Sequence, residues 1–120
     1  MRIETQLSDQ VARYLDLSSA QTKLTAVNMA NVDTPGYRAM GMNFEEEMKK
    51  AMAGVDSGAS PDSISVLPEG ELVARPDGNN VSMDREGLTM AEAQLRFKTG
   101  VSLLHEEYQK VLNAIHAQDK

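Results

Sequence analysis

The residue types that most often perform catalysis or bind metals are few and far apart in this chain. It contains no cysteine, so disulfides, thiolate chemistry and cysteine-based zinc sites are excluded. The two histidines, His105 and His116, would lie roughly 16 Å apart along one helix, too far to share a metal ion. Asp84 and Glu86 stand at a predicted helix start, where the helix dipole explains acidic residues better than a metal does. We therefore expect no catalytic, cofactor-binding or metal-binding residues and no cofactor. An enzyme, namely a metal-assisted hydrolase that uses Asp84, Glu86 and a histidine, is the least supported of the three hypotheses considered below.

The overall composition is that of an acidic chain with a modest apolar content. Its 120 residues suggest one domain, and 41% of them are hydrophobic. The net charge of −6 argues against partners that present phosphates, namely nucleic acid and anionic membrane surfaces. No stretch approaches the roughly 20 apolar residues of a membrane span. Residues 1–9 contain no apolar run that resembles a cleaved signal peptide, so any export is expected to use another route.

The positions of proline and glycine divide the chain into three parts. All four prolines and six of the eight glycines lie between Pro35 and Gly78, and proline within a helix costs about 3 kcal/mol. We therefore predict a mainly α fold, in which two long terminal helices pair as a coiled coil or helical bundle around an irregular middle. The predicted parts are a helical arm over 1–34, a central region over 35–81 and a second helical arm over 82–120.

The central region is expected to hold a sharp turn, a short helix and a possible β-hairpin. A Thr-Pro-Gly-Tyr turn ends the first arm, and residues 43–53 are amphipathic, with glutamates and lysines at helical spacing. Segments 63–66 and 71–74 flank a Pro-Glu-Gly sequence and are the two candidate strands of the hairpin. The second helix begins either at Ser82 or only after Gly87, and Gly100 within it marks a bend or a close approach.

Apolar residues recur at helical spacing along both arms. In the second arm they follow alternating steps of four and three residues from Phe97 to Ile115, as in a coiled-coil seam. Further leucines flank this seam, and no third long element is predicted to cover them. Other chains would then cover them, and head-to-tail contacts of that kind generate rings or filaments. The predicted assembly interface consists of Leu7, Tyr14, Leu17, Leu24, Phe97, Val101, Leu104, Tyr108, Val111 and Ile115.

A second hypothesis explains the same helices without a filament. A cytoplasmic helical binding module or secretion chaperone would close its apolar seam in a stable dimer and would not be exported.

Three sequence motifs resemble those of a known family. The first, Asn-Met-Ala-Asn-Val-Asp-Thr-Pro-Gly-Tyr-Arg over 28–38, is similar to the N-terminal signature of flagellar rod and hook proteins. The others, Arg-Pro-Asp-Gly-Asn-Asn-Val over 75–81 and Gln-Leu-Arg-Phe over 94–97, resemble the proximal-rod members of the flagellar basal body rod protein family. The residues singled out in the first two motifs are Asn28, Asn31, Thr34, Pro35, Gly36, Tyr37, Arg75, Pro76, Asp77, Gly78, Asn79 and Asn80.

This resemblance implies a structural role rather than an enzymatic one. It implies a subunit of the proximal rod of the bacterial flagellar basal body, exported by the flagellar type III secretion system without a cleaved signal peptide. Such a subunit would polymerise through its terminal helices in the periplasm, line the export channel and transmit torque. The implied partners are further copies of itself, the other rod proteins, a FliE-like ring–rod adapter protein and the export gate. The turn at 33–37 is expected to set the angle between the first arm and the middle and to contact an adjacent subunit.

Overall fold

Two long helices and a small central region make up the part of the chain that the computed structural model describes, residues 6–53 and 63–118. The elements are α1 (Gln6–Ala30), β1 (Met40–Gly41), α2 (Phe44–Met52), β2 (Leu67–Pro68) and α3 (Met83–Gln118). The molecule is elongated, with principal extents of 71 × 30 × 18 Å. The predicted mainly α fold with two long terminal helices is confirmed.

The helices α1 and α3 pack antiparallel along a seam of small and polar side chains. Ser18 and Thr25 of α1 are fully buried, as is Ala93 of α3, and Gly100 is buried one heptad further along. A Cβ atom at Gly100 would lie 2.7 Å from Leu15 Cδ2, so glycine is needed for the helices to approach this closely. The alternative of a close approach, predicted for Gly100, is therefore the one that the structure shows.

The predicted apolar seam of the second arm lies beside this contact line rather than on it. Phe97, Val101, Tyr108 and Ile115 remain 43%, 47%, 54% and 47% exposed, respectively. Leu104 and Val111, also predicted for the seam, are half-buried. The small residues face α1 because they permit the shortest distance between the helix axes. Phe97, Val101 and Leu104 lie beside this contact line, whereas from about Tyr108 onward α3 extends past the first described residue of α1. We call the row formed by these six apolar residues the α3 stripe.

Two apolar residues of the first arm, Tyr14 and Leu24, face the central region. The Tyr14 ring meets the Phe44 ring of α2 edge-on, with centroids 5.3 Å apart, and the Arg96 guanidinium lies 4.3 Å above the same ring. Leu17 is fully buried, and Leu7 is half exposed. Leu24 lines an apolar groove of about 280 Å³ with Met42, Ile64 and Val66. Residue 3, which continues the pattern toward the N-terminus, lies outside the described residues.

The central sheet differs from the hairpin that the sequence suggested around Pro-Glu-Gly. β1 pairs antiparallel with β2, with Met40 opposite Pro68 and Gly41 opposite Leu67, so the partner of β2 comes from before α2. Segments 63–66 and 71–74 form no ladder with each other. One reason is that the Ser65 N–H donates instead to the buried Glu47 carboxylate of α2, at 3.2 Å.

The N-terminal ends of α2 and α3 are each fixed by a hydrogen bond from the first turn of the helix. Asn43 Oδ1 accepts a hydrogen bond from Glu46 N–H at the start of α2. At α3, the Ser82 carbonyl accepts from Glu86 N–H at 2.9 Å, so the helix starts at Met83 and continues through Gly87. Of the two starts considered from the sequence, the earlier one is therefore observed.

Candidate functional site

The first two sequence motifs, far apart in the chain, meet where α1 ends and α3 begins. The Gly36 N–H donates to the Asp77 carbonyl at 2.8 Å, and the Asn80 N–H donates to the Tyr37 carbonyl at 3.3 Å. Gly78 lies against Gly36 so closely that a Cβ atom on Gly78 would be 3.3 Å from Gly36 Cα. We call this junction the clasp; it comprises Asn28, Asn31, Thr34, Gly36, Tyr37, Asp77, Gly78, Asn79, Asn80 and Glu86.

Two glycines give the clasp its tight turns. Gly36 has a φ of +75° and Gly78 a φ of +86°, both in the left-handed region that residues with a Cβ atom avoid. In Thr-Pro-Gly-Tyr and Pro-Asp-Gly-Asn, the proline ring fixes the φ of proline itself, and the glycine supplies the positive φ. The residues of these turns therefore match the backbone conformations that the junction requires.

Asn79, in the second motif, forms hydrogen bonds with backbone carbonyls at the C-terminal end of α1. Its Nδ2 atom donates to the carbonyls of Asn31 and Thr34, both at 2.8 Å, and its Oδ1 atom accepts from Val81 N–H at 2.8 Å. Carbonyls at a helix end otherwise lack partners, and burying them unpaired costs free energy. Asn79 is fully buried, so its three hydrogen bonds are shielded from water and tie the start of α3 to the end of α1.

Asn28, within α1, connects this helix to β1 and to the start of α3 through its side-chain amide. Its amide donates to the Met40 carbonyl at 2.7 Å and to Glu86 Oε1 at 3.2 Å. Its carbonyl oxygen accepts from the Tyr37 hydroxyl at 2.9 Å and from Met40 N–H at 3.1 Å. All four hydrogen-bonding positions of the amide are thus used, and the pair of bonds to Met40 resembles the pairing of one strand with another. A side chain of this length with both donors and acceptors is needed here, because a carboxylate cannot donate and an aliphatic side chain can do neither.

Glu86 places a carboxylate in the interior of the clasp. It is 1% exposed, and burial raises the pKa of its carboxyl. The hydrogen bond from Asn28 lowers this pKa, the negative charge of Glu69 raises it further, and the positive charge of Arg85 lowers it. Burial, followed by the charge of Glu86, also raises the pKa of the Tyr37 hydroxyl. Tyr37 therefore keeps its proton at neutral pH and remains a donor.

The remaining motif residues support the backbone around the clasp. Asn80 Oδ1 accepts from Ala39 N–H at 2.6 Å, and Asp77 Oδ1 accepts from Asn79 N–H at 3.0 Å in a local turn. The Arg75 guanidinium donates to the carbonyls of Val32 and Val81, one on each side of the junction.

The sequence predicted some parts of the clasp and missed others. Asn31 and Thr34 bond to each other at the end of α1, as expected for a helix stop, while Pro35 and Pro76 lie exposed at the tips of their turns. The pairing of the two motifs was not predicted. Glu86 was interpreted as a first-turn acid, with metal binding as the alternative, because nothing in the local sequence indicates a partner 58 positions earlier in the chain.

The metal-ligand and membrane-span candidates considered from the sequence can be located in the described part of the chain. Residues 6–53 and 63–118 contain no group of three or more histidine, cysteine or acidic side chains that could hold a metal. His105 and His116 are both exposed on α3, and Asp84 is exposed while Glu86 is buried in the clasp. Among the helices in these ranges, none is both long and apolar enough to cross a bilayer. The clasp is a joint in which hydrogen bonds connect α1, β1 and the start of α3.

Comparison with known proteins identifies relatives in several bacteria. No protein-family profile matches the chain. It is 31% identical over 119 residues to the flagellar basal body rod protein FlgB of Salmonella typhimurium (strain LT2), covering 84% of this chain and 86% of the relative. It is 29% identical to FlgB of Escherichia coli (strain K12), over 86% of this chain and 88% of the relative, and 25% identical to FlgB of Bacillus subtilis (strain 168), over 78% and 81%. The chain therefore belongs to the family of the flagellar basal body rod protein FlgB, whose members are structural rod proteins and not enzymes.

Proposed function

We propose that this chain is a subunit of the proximal rod of the flagellar basal body, and that it polymerises through its terminal helices. Membership of the FlgB family supports a place in the rod. The observation that carries the proposed mode of assembly is the α3 stripe, whose largest side chains stay about half exposed in the single chain.

The α3 stripe is too apolar to be an ordinary solvent-facing surface. Its exposed members recur along one side of α3 from Phe97 to Ile115, and Leu112 beside them is 46% exposed. Burial of apolar surface is favourable by about 25 cal/mol per Å², so covering this row on assembly would supply a substantial driving force. Contiguous exposed apolar surface of this kind marks interaction sites in soluble chains.

The end of α3 has few partners within the described chain. Asn28 is opposite Glu86, and Leu15 is opposite Gly100. In this antiparallel register, Gln6, the first described residue of α1, is opposite about Tyr108 of α3. Beyond that point α3 continues to Gln118. We infer that this end is completed by neighbouring subunits, where it would line the export channel.

The clasp supports the proposed mechanical role. A rod that transmits torque needs a fixed angle between its helical layer and the outer part of each subunit. In the clasp, Asn28 and Asn79 hold the ends of both helices and the β1 backbone in one buried hydrogen-bonded network. Such networks are rigid when every member is satisfied.

The proposed location is the periplasmic rod, reached through the flagellar type III secretion system without a cleaved signal peptide. The proposed partners are further copies of the chain, the other rod proteins, the ring–rod adapter protein and the export gate.

Two matched substitutions test the proposed assembly. Val101→Asp puts a charge into the α3 stripe, whereas Ser102→Asp adds the same charge at the next residue, on an exposed polar position. In cells that lack the native gene, we expect Val101→Asp to abolish swimming and to be absent from purified basal bodies. Ser102→Asp should swim and be incorporated.

Three results would contradict the proposal in different ways. Full swimming by Val101→Asp would remove the α3 stripe from the interface. Absence of the unmodified chain from basal bodies would remove the rod assignment itself. Equal retention of a tagged chain in the cytoplasm, with and without the export gate, would support the secretion chaperone instead.

A further inference from the structure

The outer side of α3 carries a row of leucines between acidic residues. Leu88 and Leu95 are 63% and 66% exposed, more than any other large apolar residue of this helix. Asp84 and Glu92 are exposed on the same side, because the spacing from Asp84 through Leu88 and Glu92 to Leu95 follows the helical repeat. None of the four is part of the α3 stripe. We call this row the ridge.

A groove with the opposite charge lies between α1 and α3. It has a volume of about 330 Å³, and Phe97 provides its apolar floor. Lys23 of α1 and Lys98 of α3 stand at its sides, and both are exposed. Neither lysine has a hydrogen-bond or ion-pair partner within residues 6–53 and 63–118. Their aliphatic stems can cover apolar side chains while their ammonium groups stay hydrated. The groove is completed by Ser19, Thr22 and Gln94.

The ridge of one molecule cannot enter its own groove. At about 100° per residue, Leu88 and Leu95 lie roughly 160–180° from Phe97 and roughly 60–80° from Lys98 around the axis of α3. The ridge and the apolar floor of the groove are therefore on opposite faces of the helix. The complementary surfaces must therefore meet between two molecules. A contact between two different patches of the same chain is heterologous, and such contacts propagate into rings or helical filaments.

We propose that the ridge of one subunit docks into the groove of a second copy of this chain, with leucines against Phe97, Glu92 beside Lys98 and Asp84 beside Lys23. The occupant is a second copy because the apolar row and its acidic flanks, and the apolar floor and its basic flanks, are present on the same chain. Charge complementarity of this kind fixes register and excludes wrong partners. This inference rests on the proposed function and names the contact between like subunits within it.

Engineered cysteines provide a direct test, because the chain has none of its own. Chains with Leu95→Cys on the ridge and chains with Thr22→Cys in the groove are co-expressed, and purified basal bodies are oxidised. We expect a disulfide-linked dimer of the two variants. The control uses Val27→Cys in place of Thr22→Cys. Val27 is 50% exposed but lines the separate groove beside Leu24 and Met42, so this pair of variants should give no dimer.

Charge reversal tests the same contact without a cross-link. Glu92→Lys alone and Lys98→Glu alone should each weaken assembly, seen as at least a tenfold loss of the chain from basal bodies. Combined in one chain, the two substitutions restore a complementary pair between neighbours and should restore incorporation. Circular dichroism of the purified variants distinguishes a lost contact from a lost fold.

The outcomes separate this inference from the proposed function. If the cysteine chains are incorporated into basal bodies but give no dimer, or if the combined charge reversal is no better than the single ones, the ridge–groove contact is overturned while the rod assignment stands. If Lys98→Glu impairs incorporation and the cysteines link only to a different protein, that protein occupies the groove and the contact between copies is again overturned. If the unmodified chain is absent from basal bodies, both proposals fail together.

Discussion

Asn28→Asp is the substitution that most sharply tests how the clasp is held together. It changes one side-chain NH₂ group to an oxygen and leaves the size of the residue almost unaltered. The oxygen would face the Met40 carbonyl and Glu86 Oε1, which now accept hydrogen bonds at 2.7 and 3.2 Å. The remaining oxygen can still accept from Tyr37 and from Met40 N–H. The substitution therefore removes two bonds and places two carboxylates side by side.

The size of the effect follows from the burial of the site. Asn28 and Glu86 are each 1% exposed, so neither carboxylate could be stabilised by water. A hydrogen bond to a charged group contributes about 1.5–3 kcal/mol, and an unpaired buried carbonyl costs about 1–3 kcal/mol. Removing the partner of a buried charge typically costs about 3–5 kcal/mol, and we expect a loss in that range. This is a large part of the about 5–15 kcal/mol by which a folded domain is stable.

The assay is urea denaturation of the isolated chain, followed by circular dichroism. Asn113→Asp is the control, since it makes the same change at an exposed position of α3 and should alter the free energy of unfolding by less than about 0.5 kcal/mol. The deficit of Asn28→Asp should shrink at acidic pH, where one of the two neighbouring carboxylates takes up a proton. If Asn28→Asp is as stable as the control near neutral pH, the hydrogen bonds assigned to Asn28 do not hold the clasp.

Two further substitutions probe the charge and the backbone of the clasp. Because the pKa of Glu86 is raised in the folded state, stability should fall as pH rises from its ordinary value of 4.5 through the raised pKa. Glu86→Gln should abolish that fall and be the more stable chain near neutral pH; identical pH profiles of unfolding for the two chains would contradict the assignment. Gly78→Ala should cost about 1–3 kcal/mol of stability, since it forces a φ of +86° on alanine and crowds Gly36. Gly87→Ala, with open space around the added methyl, should instead raise the free energy of unfolding by up to about 1 kcal/mol, measured by thermal unfolding. Equal changes in stability for Gly78→Ala and Gly87→Ala would contradict this account.

The terminal helices were predictable because their signals are local. Proline and glycine are confined to the middle, and the apolar spacing of the C-terminal arm is regular over its whole length. The capping role of Ser82 and the close approach at Gly100 also follow from short stretches of sequence. These features depend on residues within a turn or two of each other, which periodicity and capping rules describe well.

The face that α3 turns toward α1 was harder to foresee. Apolar periodicity pointed to the α3 stripe, whereas the observed seam uses Ala93 and Gly100 against Ser18 and Thr25. Each of these pairs is spaced by seven residues, so the pattern of small residues was present in the sequence. Hydrophobicity alone does not reveal it, because close packing of helix axes selects for size as well as for apolarity.

The clasp was the least predictable part. Both motifs were identified, and the first was expected to form a turn, yet their contact depends on hydrogen bonds between residues more than 40 positions apart. From the sequence alone, Asn28 is a polar residue that interrupts the apolar pattern of a helix. Only the approach of Met40 and Glu86 shows that its amide is fully bonded.

The central claim is that the helices pair through a polar seam and leave the α3 stripe for neighbouring subunits. Hydrogen–deuterium exchange over residues 109–118, where α3 extends past the first described residue of α1, measures this directly, because amide protection reports local opening. We predict rapid exchange in the dilute isolated chain and strong protection of the same amides in purified basal bodies. Equal and strong protection in both states would show that one molecule already stabilises its own C-terminal helix, and would contradict the account.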